Sequence, residues 1–312
     1  MTPRGDAING VVVMAYGTPR RREDVAAYYT DIRRGRPPSD EQLADLIRRY
    51  DAIGGLSPLI DRTEAQRSAL AEELENETPG TFTVAVGLRH AEPSIEAAVG
   101  SLADAGVARL VGLVLAPHYS TMSVRVYLQR AAAAAAARNI PFAGIESWAT
   151  EPAYIESLTR GIEASLSDVD QGSRTHVLFT AHSLPRRVLD AADPYPSEVA
   201  ATAGLVAARA GLVGDRWSIA WQSAGRTAEP WLEPDLLSTI HALAASSEAD
   251  AIVVCPCGFV ADHLEVLYDL DVEARQRAEA AGLTFRRTPV INADRGVMAA
   301  LARRIVAAVS RS

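Results

Sequence analysis

The sequence predicts an α/β protein made of two similar doubly wound halves, each a mostly parallel sheet flanked by helices. Three observations carry this reading. Short, nearly uninterrupted apolar runs recur along the chain, the pattern of strands buried on both faces. Segments with helical apolar spacing lie between them, and that alternation builds a three-layer parallel architecture. With 312 residues, 48% hydrophobic and 22% charged, the chain has material for about two domains, each large enough for its own core.

In chain order, Gly10 to Ala15 is the first apolar run, followed by helical patterns over Arg22 to Arg33, Ser39 to Tyr50 and Thr63 to Asn76. Phe82 to Leu88 and Leu110 to Ala116 read as the next strands, separated by a helix over Ser94 to Gly106. The helix expected over Ser123 to Ala137 contains an alanine run, Ala131 to Ala137, which is a good helix former, with Arg125, Gln129 and Arg130 as polar positions before it. Ala143 to Trp148 closes the first half. Glu151-Pro152 then opens a helix to Ser165, because a residue before proline avoids helical geometry and proline suits a first turn. The domain boundary is therefore set there, giving 1–150 and 151–312. The second half repeats the pattern: strands His176 to Ala181, Trp217 to Gln222 and Ala251 to Cys255, helices Pro196 to Ala210, Pro234 to Ser246 and Asp271 to Ala280. The final amphipathic segment, about 295–310, is expected to pack back on the first domain.

Composition excludes several classes of function. A net charge of -8 opposes a phosphate-neutralising surface, so no nucleic-acid partner is expected. All 31 basic side chains are arginine, which removes P-loop and Schiff-base chemistry, since both need a lysine amine. No apolar stretch is long enough to span a bilayer, and the opening MTPRGDAING does not read as a signal peptide. Cys255 and Cys257, flanking Pro256 in an expected strand, are poorly placed for a mutual disulfide, and a reducing cytoplasm is the expected location. The arginine groups Arg20 to Arg22, Arg33-Arg34-Gly35-Arg36 and Arg186-Arg187 read either as solvated faces or as carboxylate-binding forks.

Ligands of open α/β sheets bind beyond the carboxyl ends of strands. There the sequence places Tyr16-Gly17-Thr18-Pro19, Pro117-His118-Tyr119-Ser120-Thr121, His182-Ser183-Leu184-Pro185 and the run Gly258 to Glu265. A strand-end histidine can be a satisfied structural residue, but the proline three positions after His182 favours an exposed, positioned imidazole. In ADHLEVLYDLDVE, Glu265, Asp269 and Glu273 recur every fourth residue and would line one helix face over about 12 Å. Like charges at that spacing repel, and no arginine offsets them locally before Arg275. A carboxylate row suits a hydrated divalent cation, and an adjacent imidazole tilts the choice towards a transition metal such as Fe(II). Neither an HExxH nor a paired CxxC motif is present, so a caged catalytic zinc is not expected.

Eight motifs together resemble the ferrochelatases: VMAYGTP (13–19), YYTDIRRGR (28–36), RYDAIGGLSPL (49–59), LAPHYST (115–121), TAHSLP (180–185), DPYP (193–196), WQSAGRTAEPWLEPD (221–235) and GFVADHLEVLYDLD (258–271). They run in the family's order from the first strand almost to the last helix. The tyrosine in VMAYGTP and the ending at Ser312 are most similar to the bacterial coproporphyrin ferrochelatases. The resemblance implies two Rossmann-like, chelatase-type domains with a porphyrin cleft between them. It further implies insertion of Fe(II) into coproporphyrin III, giving Fe-coproporphyrin in haem biosynthesis.

By that resemblance His182 and Glu265 are the catalytic pair and inner metal ligands, and Asp269 and Glu273 form an outer metal site on a segment of π-helical geometry. Tyr16 lies on the other face of the macrocycle, able to ligate the product iron; Arg33, Arg49, Tyr50, Ser57 and Tyr127 match positions that contact propionates. Iron is the substrate and no permanent cofactor is expected. Relatives with a [2Fe-2S] cluster use four cysteines and a C-terminal extension, whereas this chain has two cysteines, so no cluster is expected. Arg89-His90 stands where many relatives have Lys-His; the charge survives but a proton-transfer role does not, since arginine stays protonated. A neutral imidazole at His182 is expected to accept a ring proton near neutral pH, with Glu265 relaying it or holding iron. A monomer with transient handover of product to the next haem-pathway enzyme completes the expectation. Three other readings remain open at this point: a protoporphyrin IX ferrochelatase, a chelatase for another metal or tetrapyrrole, and a porphyrin or haem carrier without turnover. The His182–Glu265 pair with its acidic row argues against the carrier.

Overall fold

The computed structural model describes residues 8–170, 172–225 and 227–310. It contains two four-stranded sheets, parallel throughout. The first is built from β1 (Asn9–Ala15), β2 (Phe82–Leu88), β3 (Arg109–Val114) and β4 (Phe142–Ile145), in the order β2-β1-β3-β4. The second uses β5 (Thr175–His182), β6 (Trp217–Gln222), β7 (Ala251–Cys255) and β8 (Thr284–Arg287), in the order β6-β5-β7-β8. The two halves thus repeat one topology, as the alternating pattern predicts.

Strand β8 escaped the sequence reading. Its four residues, TFRR, carry one fully buried side chain, Phe285, and a run so short and polar lacks the apolar signature of a central strand. It pairs only with β7, at the sheet edge, where one-sided burial is enough. The central strands β1 and β5 show the opposite: Val11 to Met14 and Val177 to Phe179 are buried on both faces.

Two compact units partition the described residues. The first takes the residues up to Arg48, Leu56–Trp148 and those from Asn292 onward; the second takes Arg49–Gly55 and Ala149–Ile291. Helix Arg295–Ser310 therefore belongs with the first unit, where it lies against helix Leu59–Glu77. Arg295 pairs there with Glu72 at 3.1 Å and Arg303 with Glu77 at 3.5 Å, while Gln66 Nε2 donates to the Asn292 carbonyl at 3.0 Å. Arg49–Gly55 joins the second unit although it continues helix Asp40–Ala52, a placement no composition shift announces. Each unit has its own core. Val12, Met14, Ile95, Leu110 and Val124 anchor one, and Leu178, Ile252, Val254, Leu270 and Phe285 the other.

In an open parallel sheet, the ligand crevice opens where strand order reverses. That point falls between β1 and β3 in the first sheet and between β5 and β7 in the second. The residues leaving the carboxyl ends of β5 and β7, His182 and the segment from Pro256 to Glu265, are thereby brought side by side.

Candidate functional site

The loop after β7 reaches His182 by crossing the end of β5 at van der Waals limit. Gly258 donates its N–H to the Thr180 carbonyl at 2.9 Å, and a Cβ on Gly258 would sit 2.5 Å from the Ala181 side chain and 2.6 Å from its Cα. Only glycine permits that approach. The loop ends in His263 and the short helix Leu264–Leu267, which delivers Glu265.

Glu265 stands between two imidazoles, with Oε1 3.6 Å from His182 Nε2 and Oε2 3.7 Å from His263 Nε2. His182 Nδ1 donates to the Ser183 carbonyl and His263 Nδ1 to the Ala261 carbonyl at 2.9 Å. A carbonyl can only accept, so both rings carry a proton on Nδ1 and turn Nε2 to the carboxylate. That leaves Nε2 as the atom able to hold a metal or take a proton. The His182 carbonyl accepts from the Tyr195 hydroxyl at 2.9 Å, and Gln222 Nε2 donates to the Glu265 carbonyl at 3.1 Å. The backbones of His182 and Glu265 are therefore tethered from a neighbouring helix and strand, and the two imidazoles by carbonyls of their own segments.

Electrostatics revise one expectation. Burial opposes charge on His182, yet the Glu265 carboxylate, the Ser183 carbonyl and Asp269 outweigh it and raise the imidazole to about 9. Burial likewise penalises the Glu265 charge, but His182 and then His263 hold the carboxyl below its ordinary range. At neutral pH the resting pair is an imidazolium–carboxylate pair, not the neutral imidazole expected from the sequence, because that reading had no partner distance to weigh.

After Glu265 the helix widens. Asp269–Ala274 is a π-helix in which Glu273 N–H reaches the Tyr268 carbonyl at 3.0 Å, five residues back, and Val272 N–H shares that carbonyl at 3.2 Å. The resemblance implies this geometry; the fourfold spacing of acids by itself points to an ordinary helix. Asp269 is buried, receives the Ser223 hydroxyl on Oδ2 at 2.5 Å, and lies 3.5 Å from Arg49 Nη1 through Oδ1. Burial, with the Glu265 charge, raises its carboxyl to about 7 against the pull of Ser223 and Arg49; Glu273 adds to the rise. Asp271 instead holds Arg287 in a fork, at 2.7 and 2.9 Å. The arginine that meets the acidic row, Arg49 at Asp269, and the one that holds the neighbouring Asp271, Arg287, therefore both come from distant parts of the chain. Arg275, the local candidate, bonds to the Asp271 carbonyl at 3.3 Å and lies 4.8 Å over the Phe285 ring.

The second unit thus gathers His182, Glu265, Asp269 and Arg49, with Glu273 close enough to act on Asp269. Arg49 also lies 4.9 Å over the Tyr268 ring, and the neighbouring Tyr50 is buried. The remaining residues belong to the first unit. Tyr16 follows β1, is 39% exposed, and packs its ring 4.6 Å from that of His90. Gly17 after it has φ 89°, a left-handed turn that suits glycine. Arg33 caps helix Val25–Ile32, bonds through Nε to the Arg36 carbonyl at 3.2 Å and lies 5.6 Å over Tyr29. Ser57 Oγ accepts from the Leu59 N–H at 3.3 Å, at the head of helix Leu59–Glu77. Tyr127 is buried in helix Val124–Ala136, its hydroxyl pushed up to about 12 by burial against the pull of Arg89 and Arg130.

Sequence reasoning missed Gln222, Ser223, His263 and Arg287. For the first two a signal existed, since both sit where β6 ends, in the WQSAGR motif. His263 was visible in ADHLE next to Glu265. Arg287 had no signal, because β8 itself went unread.

The sequence profile of the ferrochelatases matches residues 8–309. Coproporphyrin III ferrochelatase of Anoxybacillus flavithermus is 42% identical over 299 residues, 95% of this chain and 94% of that protein. The protein of the same name from Geobacillus kaustophilus is 43% identical over 289 residues, 91% of each. Among solved structures, the sirohydrochlorin chelatase SirB of Bacillus subtilis subspecies spizizenii, in complex with cobalt, covers 97% of this chain and 96% of its own with a TM-score of 0.56 at 13% identity. SirB from Bacillus subtilis with Fe3+ gives 0.59 at 11% identity, over 96% and 94%. At such identity these structures share the fold.

Proposed function

The chain belongs to the ferrochelatase family, and from that premise we propose that it inserts Fe(II) into coproporphyrin III, releasing two protons and Fe-coproporphyrin. The observation that carries this reading is the Glu265 carboxylate held against His182 Nε2 at 3.6 Å. Insertion replaces two pyrrole N–H protons by one dication, so the site must take protons and steady a cation at one place. A histidine–carboxylate pair does both, because the proton it stores and the metal it binds compete for the same Nε2 and Oε1 atoms.

In the resting pair the proton sits on His182, held by Glu265. An arriving dication cancels the attraction that keeps it there, and the imidazole returns towards its ordinary range. His182 is then neutral when a pyrrole proton needs an acceptor. Asp269 and Glu273 form the outer step: Asp269, poised near neutrality, gives up its own proton more readily as a cation nears. Iron is the substrate throughout, and the reading includes no resident cofactor and no [2Fe-2S] cluster.

Arg33, Arg49, Tyr50, Ser57 and Tyr127 are the propionate contacts in this reading, and Tyr16 is the axial ligand of product iron. Charged and hydroxyl donors of this kind suit a macrocycle bearing carboxylates. The reading also includes a monomer in the cytoplasm that hands its product transiently to the next enzyme. Two buried, unpaired thiols agree with a reducing compartment, and among the described residues no helix is long and apolar enough to cross a membrane. Anaerobic incubation with Fe(II) and either coproporphyrin III or protoporphyrin IX, followed by absorbance, tests the proposal. Faster metallation of coproporphyrin is expected; equal or better use of protoporphyrin overturns the substrate assignment.

A further inference from the structure

At the carboxyl end of β2 the first unit holds a cation in place without neutralising it. Arg89 follows Leu88 directly, and its N–H bonds to the Ala15 carbonyl at 3.0 Å, which fixes it beside the chain leaving β1. Its carbonyl accepts from Arg130 Nη1 at 3.1 Å, and its guanidinium carbon lies 5.4 Å over the Tyr127 ring. The surrounding charges are otherwise engaged. Arg130 is held by Glu96 through contacts of 2.7 and 2.6 Å, and Asp31 meets His90 Nδ1 at 2.7 Å. Among the described residues Arg89 makes no ion pair with a carboxylate.

A partly buried guanidinium pinned over an aromatic ring, its side-chain hydrogen bond going to the neutral Tyr127 hydroxyl and none to a carboxylate, keeps N–H donors of its planar fork oriented for an anion, a geometry that matches a carboxylate. It also sits at the carboxyl end of its strand, the side of an open parallel sheet on which ligands bind, one strand over from the β1–β3 point where the order reverses. We propose that Arg89 is a carboxylate-binding residue of the substrate site, receiving a propionate of the macrocycle beside Tyr127. Because arginine keeps its proton, the role is recognition and not proton transfer. The proposal rests on the reading of the substrate as a carboxylate-bearing porphyrin, but not on which porphyrin is preferred.

The test measures equilibrium binding of coproporphyrin III and of its tetramethyl ester to the full-length parent, Arg89→Gln and Arg89→Lys by fluorescence quenching, with thermal midpoints alongside. The Gln variant should bind the free acid at least about tenfold more weakly while binding of the ester stays within about twofold. Lysine keeps the charge without the fork, so its loss should be smaller, about threefold, and again confined to the free acid. Should Arg89→Gln not fold, the lysine variant alone decides. Equal weakening of acid and ester would show a merely structural role through Tyr127, and unchanged binding of the acid would show no role; either result overturns the proposal. A parent that prefers protoporphyrin in the metallation assay would overturn the substrate assignment and leave this test standing.

Discussion

Ser223 donates its hydroxyl hydrogen to Asp269 Oδ2 at 2.5 Å from a backbone held in the left-handed region, at φ 58°. A non-glycine residue there is uncommon, and the hydroxyl contact is what the turn delivers. Ser223→Ala should therefore leave Asp269 with less support for its charge and raise the apparent KM for Fe(II) by about three- to tenfold, with a smaller change in the saturated rate. Ser223→Gly relaxes the backbone and still lacks the hydroxyl, so it should behave like the alanine variant. Steady-state kinetics with Fe(II) varied would check this; recovery of the parent KM in the glycine variant would mean that the backbone, not the hydroxyl, matters.

His182→Ala should abolish insertion while leaving porphyrin binding measurable by fluorescence, because it removes the one imidazole whose Nε2 faces Glu265 Oε1 from β5. Glu265→Gln keeps the shape but can neither store a proton nor carry charge, and a comparable loss of rate, about a hundredfold or more, is expected. Turnover within a few-fold of the parent in either variant would move the proton route elsewhere.

The raised His182 value sets a pH dependence with a defined sign. Its folded value, about 9, lies above the unfolded one, about 6.5, so the pair's contribution to stability is fully present below the lower value and is lost as pH rises through the upper. Metal competes with that same proton. Between pH 7 and 9 the apparent affinity for Co(II), used as a redox-stable probe, should rise by up to about tenfold per pH unit, with about one proton released. Calorimetry in buffers of different ionisation enthalpy reads both quantities. His182→Ala should flatten the slope, and an affinity independent of pH in the parent would contradict the pairing.

Arg287 ties the π-helix to the end of β8 through its two contacts with Asp271, and it lies 3.8 Å from Asp262 as well. Arg287→Met should take from Asp271 both of its guanidinium hydrogen bonds and remove the cation that lies beside Asp262. Arg287 is 14% exposed and Asp271 27%, so solvent screens part of the loss, and a destabilisation of about 2 kcal/mol is expected. Chemical denaturation measures it. Arg287→Met combined with Asp271→Asn should recover part of the loss; no recovery would mean the arginine acts by packing alone.

Much of this protein was determined by local sequence. Val11 to Met14 and Val177 to Phe179 are continuous apolar runs, and such runs force two-sided burial whatever surrounds them, so the parallel sheets and their alternation with helices were legible. The position of His182 at a strand end, the edge where an open sheet binds ligands, was legible too. The tertiary structure alone decided what these residues meet. Whether His182 is neutral or charged depends on a carboxylate 3.6 Å away that arrives from beyond β7, and Asp269 of the acidic row meets Arg49 while the neighbouring Asp271 meets Arg287, pairings that no helical periodicity announces. Strand β8 and the assignment of Arg49–Gly55 to the second unit were equally silent. Periodicity reports how a segment divides its own faces between core and solvent; the charge state of a site follows from distances between segments, which only the completed fold sets.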